Sequence, residues 1–360
     1  MPVIANMNDT SAELFQSLKA IGRNADLRRR WVVELQNVER VMATPGVSVR
    51  DEITAPIIDA LFADVGILRK TLANGVIFDF HYRSKIAREF VMSEPEIPDH
   101  VWEPQTTKLL LHLARGVSEV LVGGAYFGDH TVLIANQLRD RGRVHAFEPN
   151  ADQNAMLAHN AEINGLTNVV AQRLGLWSES SRRLRLVGDD ALAHPEVDSQ
   201  SADSFETITV DDYLSRQGIG NLGLIMLDIE GAELGVLRGA TRQLELPVGL
   251  APNIVFELHR HYVDWSNGLD HTEIVQFLTQ RGYHVFAVRD YNANIDMLGQ
   301  PIELVELDDV YLDGPPHGFN MVAVKDLAIL RHDDIRFCRG VSPKLLGHRD
   351  PRLHQPLMPQ

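Results

Sequence analysis

The spacing of apolar residues divides the chain into three stretches. Residues 1–100 carry apolar positions at helical spacing, which predicts a helical N-terminal region. Between residues 101 and 325, short apolar runs alternate with helical patterns, which predicts a parallel sheet with helices on both faces. Residues 326–360 show little periodicity, so we expect a loosely structured tail or an arm onto a neighbouring molecule.

The N-terminal region predicts three helices. The first follows Ser11, and the second covers the pattern from Trp31 to Met42. The third begins after Thr54 and runs to Leu72, where Asn74 and the glycine after it close it. Their apolar stripes exceed what an isolated helical hairpin can bury. We therefore expect residues 1–100 to cover the following domain or to join copies of the chain in a homo-oligomer.

The clearest local pattern begins at Glu119, where a short apolar strand runs into a glycine-containing turn, Gly123 to Gly128. Asp129 is placed to cap the helix that follows. The next strand, from Val144 to Phe147, ends at Glu148, whose carboxylate could accept two hydrogen bonds from a ribose diol. This order predicts the nucleoside-binding half of a doubly wound α/β domain.

The glycines alone do not identify the nucleoside. They fit a relaxed dinucleotide fingerprint in which Ala125 takes the place of the middle glycine, and such a turn also occurs without any ligand. Glu148 favours a ligand because it stands where a ribose-binding acid is expected. A nucleotide-dependent oxidoreductase therefore stays open as an alternative at this point.

Two later apolar runs end in polar residues. Leu222 to Leu227 opens into Asp228 and Glu230, and a run beginning at Asn253 ends in Glu257 and His259. With the glycine turn, these segments resemble the FkbM-type family of S-adenosylmethionine-dependent methyltransferases over about residues 100 to 325. The matching positions are Gly124, Ala125, Gly128, Thr131, Glu148, Asp228, Glu230, Gly231, Glu233, Leu237, Gly239, Ala240, Glu257 and His259.

The resemblance implies a Rossmann-like methyltransferase fold with a mostly parallel seven-stranded sheet, and S-adenosylmethionine as the cofactor. Members of the family carry an acid at the end of strand one, and Val122 occupies that position here. The ammonium group of the cofactor must then be bound by Asp129, Glu103 or backbone carbonyls. The residues that the resemblance assigns to cofactor binding are Gly124, Ala125, Tyr126, Gly128, Thr131, Glu148 and Asp228.

Methyl transfer from a sulfonium is an in-line displacement, and an alcohol acceptor must lose a proton during it. We expect Asp228, Glu230, Glu257 and His259 to converge where strands four and five end. His259 is the favoured general base and His261 its competitor. A divalent cation such as Mg²⁺, held by the carboxylates, is the less favoured alternative. Structural roles also remain open, with Asp228 as a helix cap or the glutamates bound to backbone NH groups.

Composition limits the partners. The formal net charge of −15 over 360 residues argues against a nucleic-acid surface, and the Arg28 to Arg30 run fits a solvated helix face. A single cysteine, Cys338, excludes an intramolecular disulfide and fits a reducing cytoplasm. No apolar run approaches the length of a membrane span, so we expect a cytoplasmic protein.

The sequence thus predicts an enzyme that methylates a hydroxyl on a sugar or natural-product-type small molecule. A non-catalytic, methyltransferase-like binding protein is a further alternative, motivated by Val122 and by the long N-terminal region. The polar segment from Asp189 to Ser204 is expected to be an inserted loop. The sequence does not identify the acceptor itself.

Overall fold

The computed structural model describes residues 7–42, 44–188, 194–197, 204–312 and 317–357. Its helices, in chain order, are α1 (Met7–Gly22), α2 (Ala25–Val41), α3 (Ala55–Phe62), α4 (Lys85–Val91), α5 (Pro104–Leu113), α6 (Thr131–Leu138), α7 (Ala151–Ile163), α8 (Val210–Gln217), α9 (Glu233–Arg238), α10 (Thr241–Leu244), α11 (Glu273–Thr279) and α12 (Pro351–His354).

The strands, in the same order, are β1 (Ile67–Thr71), β2 (Ile77–His81), β3 (Glu119–Gly123), β4 (Arg143–Phe147), β5 (Val169–Gln172), β6 (Gly175–Leu176), β7 (Arg183–Val187), β8 (His194–Val197), β9 (Phe205–Ile208), β10 (Leu224–Leu227), β11 (Asn253–His259), β12 (His284–Tyr291), β13 (Ile302–Glu306), β14 (Gly318–Val324), β15 (Ile335–Cys338) and β16 (Lys344–Leu345).

One large sheet organises the domain, and its strands lie in the order β5-β4-β3-β10-β11-β14-β12-β13-β15, with β16 pairing β12. Strands β5, β4, β3, β10 and β11 are parallel, whereas β14 runs antiparallel to both of its neighbours. The predicted doubly wound α/β fold is therefore confirmed. The predicted count of seven strands is not, because β13, β15 and β16 extend the sheet beyond β12 in the described part of the chain.

The central strands are apolar throughout because helices cover both faces of the sheet. Successive side chains of a strand point to opposite faces. In β3, Val120 and Val122 pack into the cluster beneath α5 and α6, while Leu121 packs into the cluster on the other face. Val122 therefore contributes to the core at the position where the related family carries an acid.

The sequence predicted a wholly helical N-terminal region, and this prediction is wrong. Helices α1 and α2 form where expected, but α3 ends at Phe62, and residues 67–71 and 77–81 form an antiparallel hairpin. Asn74 and Gly75 are its turn, with Gly75 at φ +84°, and so do not close a helix. Exposed and half-buried residues alternate along β1, as successive side chains of a strand point to opposite faces.

The hairpin ties the N-terminal region to the main domain. The side-chain oxygen of Asn160, on α7, accepts a hydrogen bond from the backbone NH of Asp79 at 2.8 Å, and Asn164 bonds both backbone groups of Ile77. Phe78 also packs edge-on against Phe127, next to the glycine-containing turn. A domain boundary near residue 100 stays a prediction, as does a homo-oligomer formed through the N-terminal helices.

Residues 326–357 are more ordered than the sequence indicated. They supply β15 and β16 to the sheet, where a loose tail had been expected. The fully buried guanidinium of Arg289 donates hydrogen bonds to the carbonyl oxygens of Ser342, Leu353 and Gln355, and it pairs with Glu303. Backbone pairing and this buried cation hold a segment that lacks a periodic apolar pattern.

A second sheet of four short strands, in the order β6-β9-β7-β8, stands beside the carboxyl ends of the main strands. It occupies part of the segment expected to be an inserted loop, and most of Asp189 to Ser204 lies outside the described residues. Among the residues that the structure describes, no helix is both long and apolar enough to cross a membrane.

Candidate active site

A crevice of about 940 Å³, part of it open to solvent, lies at the carboxyl ends of β3, β4 and β10. Parallel strands of an α/β sheet place ligands at this edge. Polar and glycine residues line its floor, and apolar side chains from the small sheet line one side. The lining includes Gly124, Tyr126, Asp129, His130, Glu148, Asn150, Gln153, Leu176, Leu184, Leu186, Phe205, Asp228 and Glu230.

The turn after β3 depends on Gly124. Its NH donates to the Phe147 carbonyl at 3.0 Å, and its φ is +74°. A Cβ atom at this position would lie 1.8 Å from the backbone oxygen of Asp228. Both the left-handed backbone and the close approach of two strand ends therefore require glycine here.

Glu148 is held at the crevice by backbone NH groups. One carboxylate oxygen accepts from the NH of Tyr126 at 2.9 Å, and the other accepts from the NH of Asn150 at 2.8 Å. We call Gly124, Tyr126 and Glu148 the nucleoside wall.

Three of the other residues assigned to cofactor binding lie behind this wall, whereas the fourth, Asp228, lines the crevice. Ala125, Gly128 and Thr131 are not among the residues lining the crevice, and they shape the turn and the start of α6. The predicted helix cap at Asp129 is wrong, because α6 begins without a side-chain cap. Asp129 instead lines the crevice, and burial raises the pKa of its carboxyl. Its place in the crevice makes it a candidate ligand for an ammonium group.

Three carboxylates lie close together after β10 and on β11, and we call Asp228, Glu230 and Glu257 the carboxylate wall. One oxygen from each lies within 4.8 Å of the others, because β10 and β11 are adjacent and parallel. Asp228 and Glu230 line the crevice itself. The sequence predicted that these side chains would converge, and the structure brings them together.

The structural alternatives for these residues receive little support. No side chain caps α9, so Asp228 is not its cap. Within the described part of the chain, the buried Oε2 of Glu257 has no hydrogen-bond partner. The carboxylate that does bind backbone NH groups is Glu233, which accepts from Ile229 at 3.0 Å. Asp228, Glu230 and Glu257 are thus open to other roles.

Removal from water and mutual repulsion make the carboxylate wall hard to ionise. Burial raises the pKa of Glu230 to about 7. Burial, followed by the charges of Glu103 and Glu230, raises the pKa of Asp228 well above its ordinary value. The pKa of Glu257 rises in the same way, through burial and then the charge of Asp228. A positively charged ligand would relieve this repulsion.

Oxygen ligands at this spacing also suit a divalent cation in principle. A protonated cluster or an organic cation would suit the same three carboxylates. Mg²⁺ therefore stays the less favoured alternative.

His259 groups with two other histidines rather than with the three carboxylates. Its Nδ1 accepts from the NH of His261 at 3.2 Å, and the ligand-type nitrogens of His259, His261 and His317 lie within 4.8 Å of one another. Burial, then the neighbouring histidines, lowers the pKa of His259 to about 4. It is absent from the lining of the crevice, and its Nδ1 lone pair is already in use. Both observations weaken the expectation that His259 is the base.

Sequence reasoning missed His130, which follows Asp129 without any recognisable motif. Its Nδ1 lies 3.2 Å from the Thr107 hydroxyl, and its Nε2 lies 3.7 Å from Glu103 Oε2. Desolvation alone would lower the pKa of His130, but Asp129 and Glu103 outweigh it and raise the pKa to about 9. The imidazolium partly balances the acidic groups around it.

The apolar side of the crevice was also missed. Leu184, Leu186 and Phe205 line it from β7 and β9 of the small sheet. The alternation of arginine and leucine over residues 183–186 was the available signal, because it is typical of a half-buried strand.

Comparison with known proteins agrees with the geometry. The model of the methyltransferase FkbM domain matches residues 123–285. The hexuronic acid methyltransferase AglP of Haloferax volcanii is 24% identical over 201 residues, which cover 55% of this chain and 77% of that protein.

Solved structures give more distant likenesses. The methyltransferase FkbM from Methylobacillus flagellatus is 18% identical, with a TM-score of 0.28, over 39% of this chain and 32% of that chain. This chain thus spans about a third of that relative. An O-methyltransferase from Bacillus cereus, solved in complex with SAH, is 14% identical with a TM-score of 0.36, over 67% of this chain and 90% of that chain.

Proposed function

Residues 123–285 belong to the FkbM methyltransferase family, and from this we propose that the protein transfers a methyl group from S-adenosylmethionine to a hydroxyl of a sugar or natural-product-type molecule. The observation that carries the proposal is one crevice with two unlike walls. The nucleoside wall offers a glycine turn and a fixed acid, Glu148, and the carboxylate wall offers acids whose pKa values burial raises.

The nucleoside part of the cofactor fits the first wall. The ribose hydroxyls would donate to Glu148, whose oxygens are already oriented by Tyr126 and Asn150. The adenine ring would pack against the apolar side made by Leu184 and Phe205. This arrangement uses each group for the interaction that its chemistry favours.

The charged part of the cofactor fits the second wall. S-adenosylmethionine carries a sulfonium and an ammonium, and burial together with the charges of neighbouring acids raises the pKa of Asp228, so a bound cation would be favoured there. We assign the ammonium to Asp129, because this carboxylate lines the crevice and Val122 is committed to the core. Binding of the cation would stabilise the ionised carboxylates.

We assign the general base to Glu230. A base is most effective when its pKa lies near the working pH, and burial raises the pKa of Glu230 to about 7. Glu230 also lines the crevice and occupies a left-handed backbone conformation, with φ +50°, which is costly for a residue other than glycine. In this mechanism Glu230 accepts the hydroxyl proton while Asp228 and Glu257 position the acceptor.

The sugar assignment rests on a relative whose name describes methylation of a hexuronic acid. Sugar hydroxyls have pKa values far above neutrality, so they need a base such as the one described. A metal is not part of this proposal.

Isothermal titration tests the cofactor first. We expect S-adenosylmethionine to bind with micromolar affinity or better, and NADH to give no heat of binding. Binding of NADH alone would support an oxidoreductase, and binding of neither would support a non-catalytic protein. The mass of any small molecule that co-purifies with the protein provides an independent check.

A further inference from the structure

Three histidines form a cluster at the end of β11 that the mechanism described above does not use. His259 is the last residue of β11, His261 follows two positions later, and His317 directly precedes β14. One ring nitrogen from each lies within 4.8 Å of the others. None of the three lines the crevice, and the carboxylate wall forms a group of its own.

The backbone fixes where two of these histidines stand. Strands β11 and β14 are antiparallel, and their register sets His259 opposite Gly318, the residue after His317. The NH of Arg260 also donates to the carbonyl oxygen of His317 at 3.2 Å. Main-chain hydrogen bonds thus hold the two histidines side by side, whatever the conformation of their side chains.

The imidazole rings are close enough to share one ion. The ring centroid of His259 lies 4.9 Å from that of His261 and 6.1 Å from that of His317. Around a tetrahedral Zn²⁺, Zn–N bonds of about 2.0–2.1 Å place ligand nitrogens about 3.4 Å apart and ring centroids about 5 Å apart. The rings are nearly parallel, so His261 and His317 must turn about their side-chain bonds to aim at the ion, and both are exposed.

Gly318 makes room for the buried member of the cluster. A Cβ atom at this position would lie 3.0 Å from Cδ2 of His259 and 2.6 Å from Oε1 of Glu257. The absence of a side chain at Gly318 therefore lets the His259 ring lie against the start of β14. Because His259 is buried and the other two histidines are exposed, the cluster combines one fixed ring with two adjustable ones.

Only a weak contact competes with an ion for these rings. Nδ1 of His259 accepts a hydrogen bond from the NH of His261 at 3.2 Å, the long end of the usual range. An imidazole is mostly neutral above pH 7 and then has a lone pair for a metal ion. An ion that displaces this long contact thus replaces one weak interaction with three metal–nitrogen bonds.

We propose that His259, His261 and His317 bind one late first-row transition-metal ion of the Zn²⁺ class, with a fourth position left to water. Imidazole suits Zn²⁺, Ni²⁺ and Cu²⁺, whereas Mg²⁺ and Ca²⁺ prefer oxygen ligands. The ion joins the end of β11 to the start of β14 and so stabilises the folded chain. The proposed methyl transfer does not require it, since the three histidines are absent from the lining of the crevice.

Calorimetry on the full chain tests this site, after treatment with EDTA and removal of the chelator. We expect Zn²⁺ to bind at one ion per chain, and Mg²⁺ to bind at least about 10²-fold more weakly. Zn²⁺ at about one hundred times its Kd should raise Tm by roughly 3 °C. Co²⁺ in the same site should show the visible absorption of a four-coordinate ion.

His261→Ala and His317→Ala should each weaken Zn²⁺ binding by roughly tenfold or more, and the double variant should lose the rise in Tm. Both residues are exposed, so neither change should prevent folding. His284→Ala is the matched control, because His284 is also exposed and pairs with Val324 at the far end of β14. This control should bind Zn²⁺ as the unaltered chain does.

Two outcomes would overturn the proposal. One is that Zn²⁺ does not bind, or binds no more tightly than Mg²⁺. The other is that both single variants bind Zn²⁺ as tightly as the unaltered chain, because the ion would then lie elsewhere, for example on the carboxylate wall. The readouts are metal affinity and Tm, so either failure leaves the proposed methyl-transfer function untouched.

Discussion

The two walls of the crevice are built differently, although both stand at the same edge of the sheet. On the nucleoside wall, the carboxylate of Glu148 is bound by two backbone NH groups from nearby turns. On the carboxylate wall, Glu257 has a buried oxygen that lacks any such partner among the described residues. The acid of the nucleoside wall is hydrogen-bonded within the protein, whereas the carboxylate wall contains a buried oxygen without a hydrogen-bond partner among the described residues.

This difference suggests that the nucleoside wall serves cofactor binding and the carboxylate wall serves the transfer reaction. A fixed and satisfied acid such as Glu148 orients a ligand at little cost, because the protein has already arranged its hydrogen bonds. Acids that repel one another, such as Asp228 and Glu257, have shifted pKa values that respond to a bound charge. We therefore expect changes in the nucleoside wall to affect affinity and changes in the carboxylate wall to affect turnover.

The largest effect should follow loss of the base. Glu230→Gln should lower turnover by about 10²–10⁴-fold while the affinity for S-adenosylmethionine changes little, as steady-state kinetics and calorimetry would show. Since the base works when ionised, wild-type turnover should rise with pH. The midpoint should lie at or somewhat below about 7, because burial raises the pKa of Glu230 to about 7 and the bound cation favours the ionised form. The glutamine variant should lose this dependence.

His259→Ala is the comparison variant, because the sequence favoured His259 as the base. Its pKa of about 4 and its occupied Nδ1 lead us to expect less than about a tenfold loss of turnover. Treatment with EDTA should have no effect. A large loss in His259→Ala with normal turnover in Glu230→Gln would restore the histidine mechanism, and a loss on chelation that added Mg²⁺ reverses would favour the metal.

The next largest effect should be on stability, at Gly124, where the backbones of the two walls meet. Gly124→Ala should lower the free energy of unfolding by about 2–5 kcal/mol, combining the left-handed backbone with overpacking against the Asp228 carbonyl. Gly165→Ala is its control, since Gly165 has φ +62° and open space at its Cβ position. It should lose only about 1–2 kcal/mol in denaturant unfolding. Equal losses in the two variants would contradict the close approach.

The smallest effect should come from the nucleoside wall. Glu148→Ala should weaken both S-adenosylhomocysteine and 5′-methylthioadenosine by about 1–3 kcal/mol, because both contain the ribose diol. Asp129→Asn should weaken only S-adenosylhomocysteine, since the thioadenosine lacks the ammonium group. If Asp129→Asn weakened both ligands alike, or neither, the ammonium would have to be held elsewhere, and Glu103 would be the next residue to change.

Local sequence determined the parts of this protein whose residues are neighbours along the chain. The strand from Glu119, the turn at Gly124 and the acid Glu148 lie within one βαβ unit, so period and turn chemistry were enough to predict the fold and the nucleoside wall. The convergence of Asp228 and Glu257 also followed, because carboxyl ends of adjacent parallel strands share one edge.

Only the tertiary structure decided the rest. The hairpin from Ile67 replaced a predicted helix because Asn160 and Asn164 bind the backbone of β2 from another element. Burial, which no local pattern specifies, gives Glu230 a pKa near 7 and His259 one near 4. Likewise Lys344 reaches Glu103 across 241 positions of sequence, since electrostatic interactions depend on distance in space and solvent exposure and not on order along the chain.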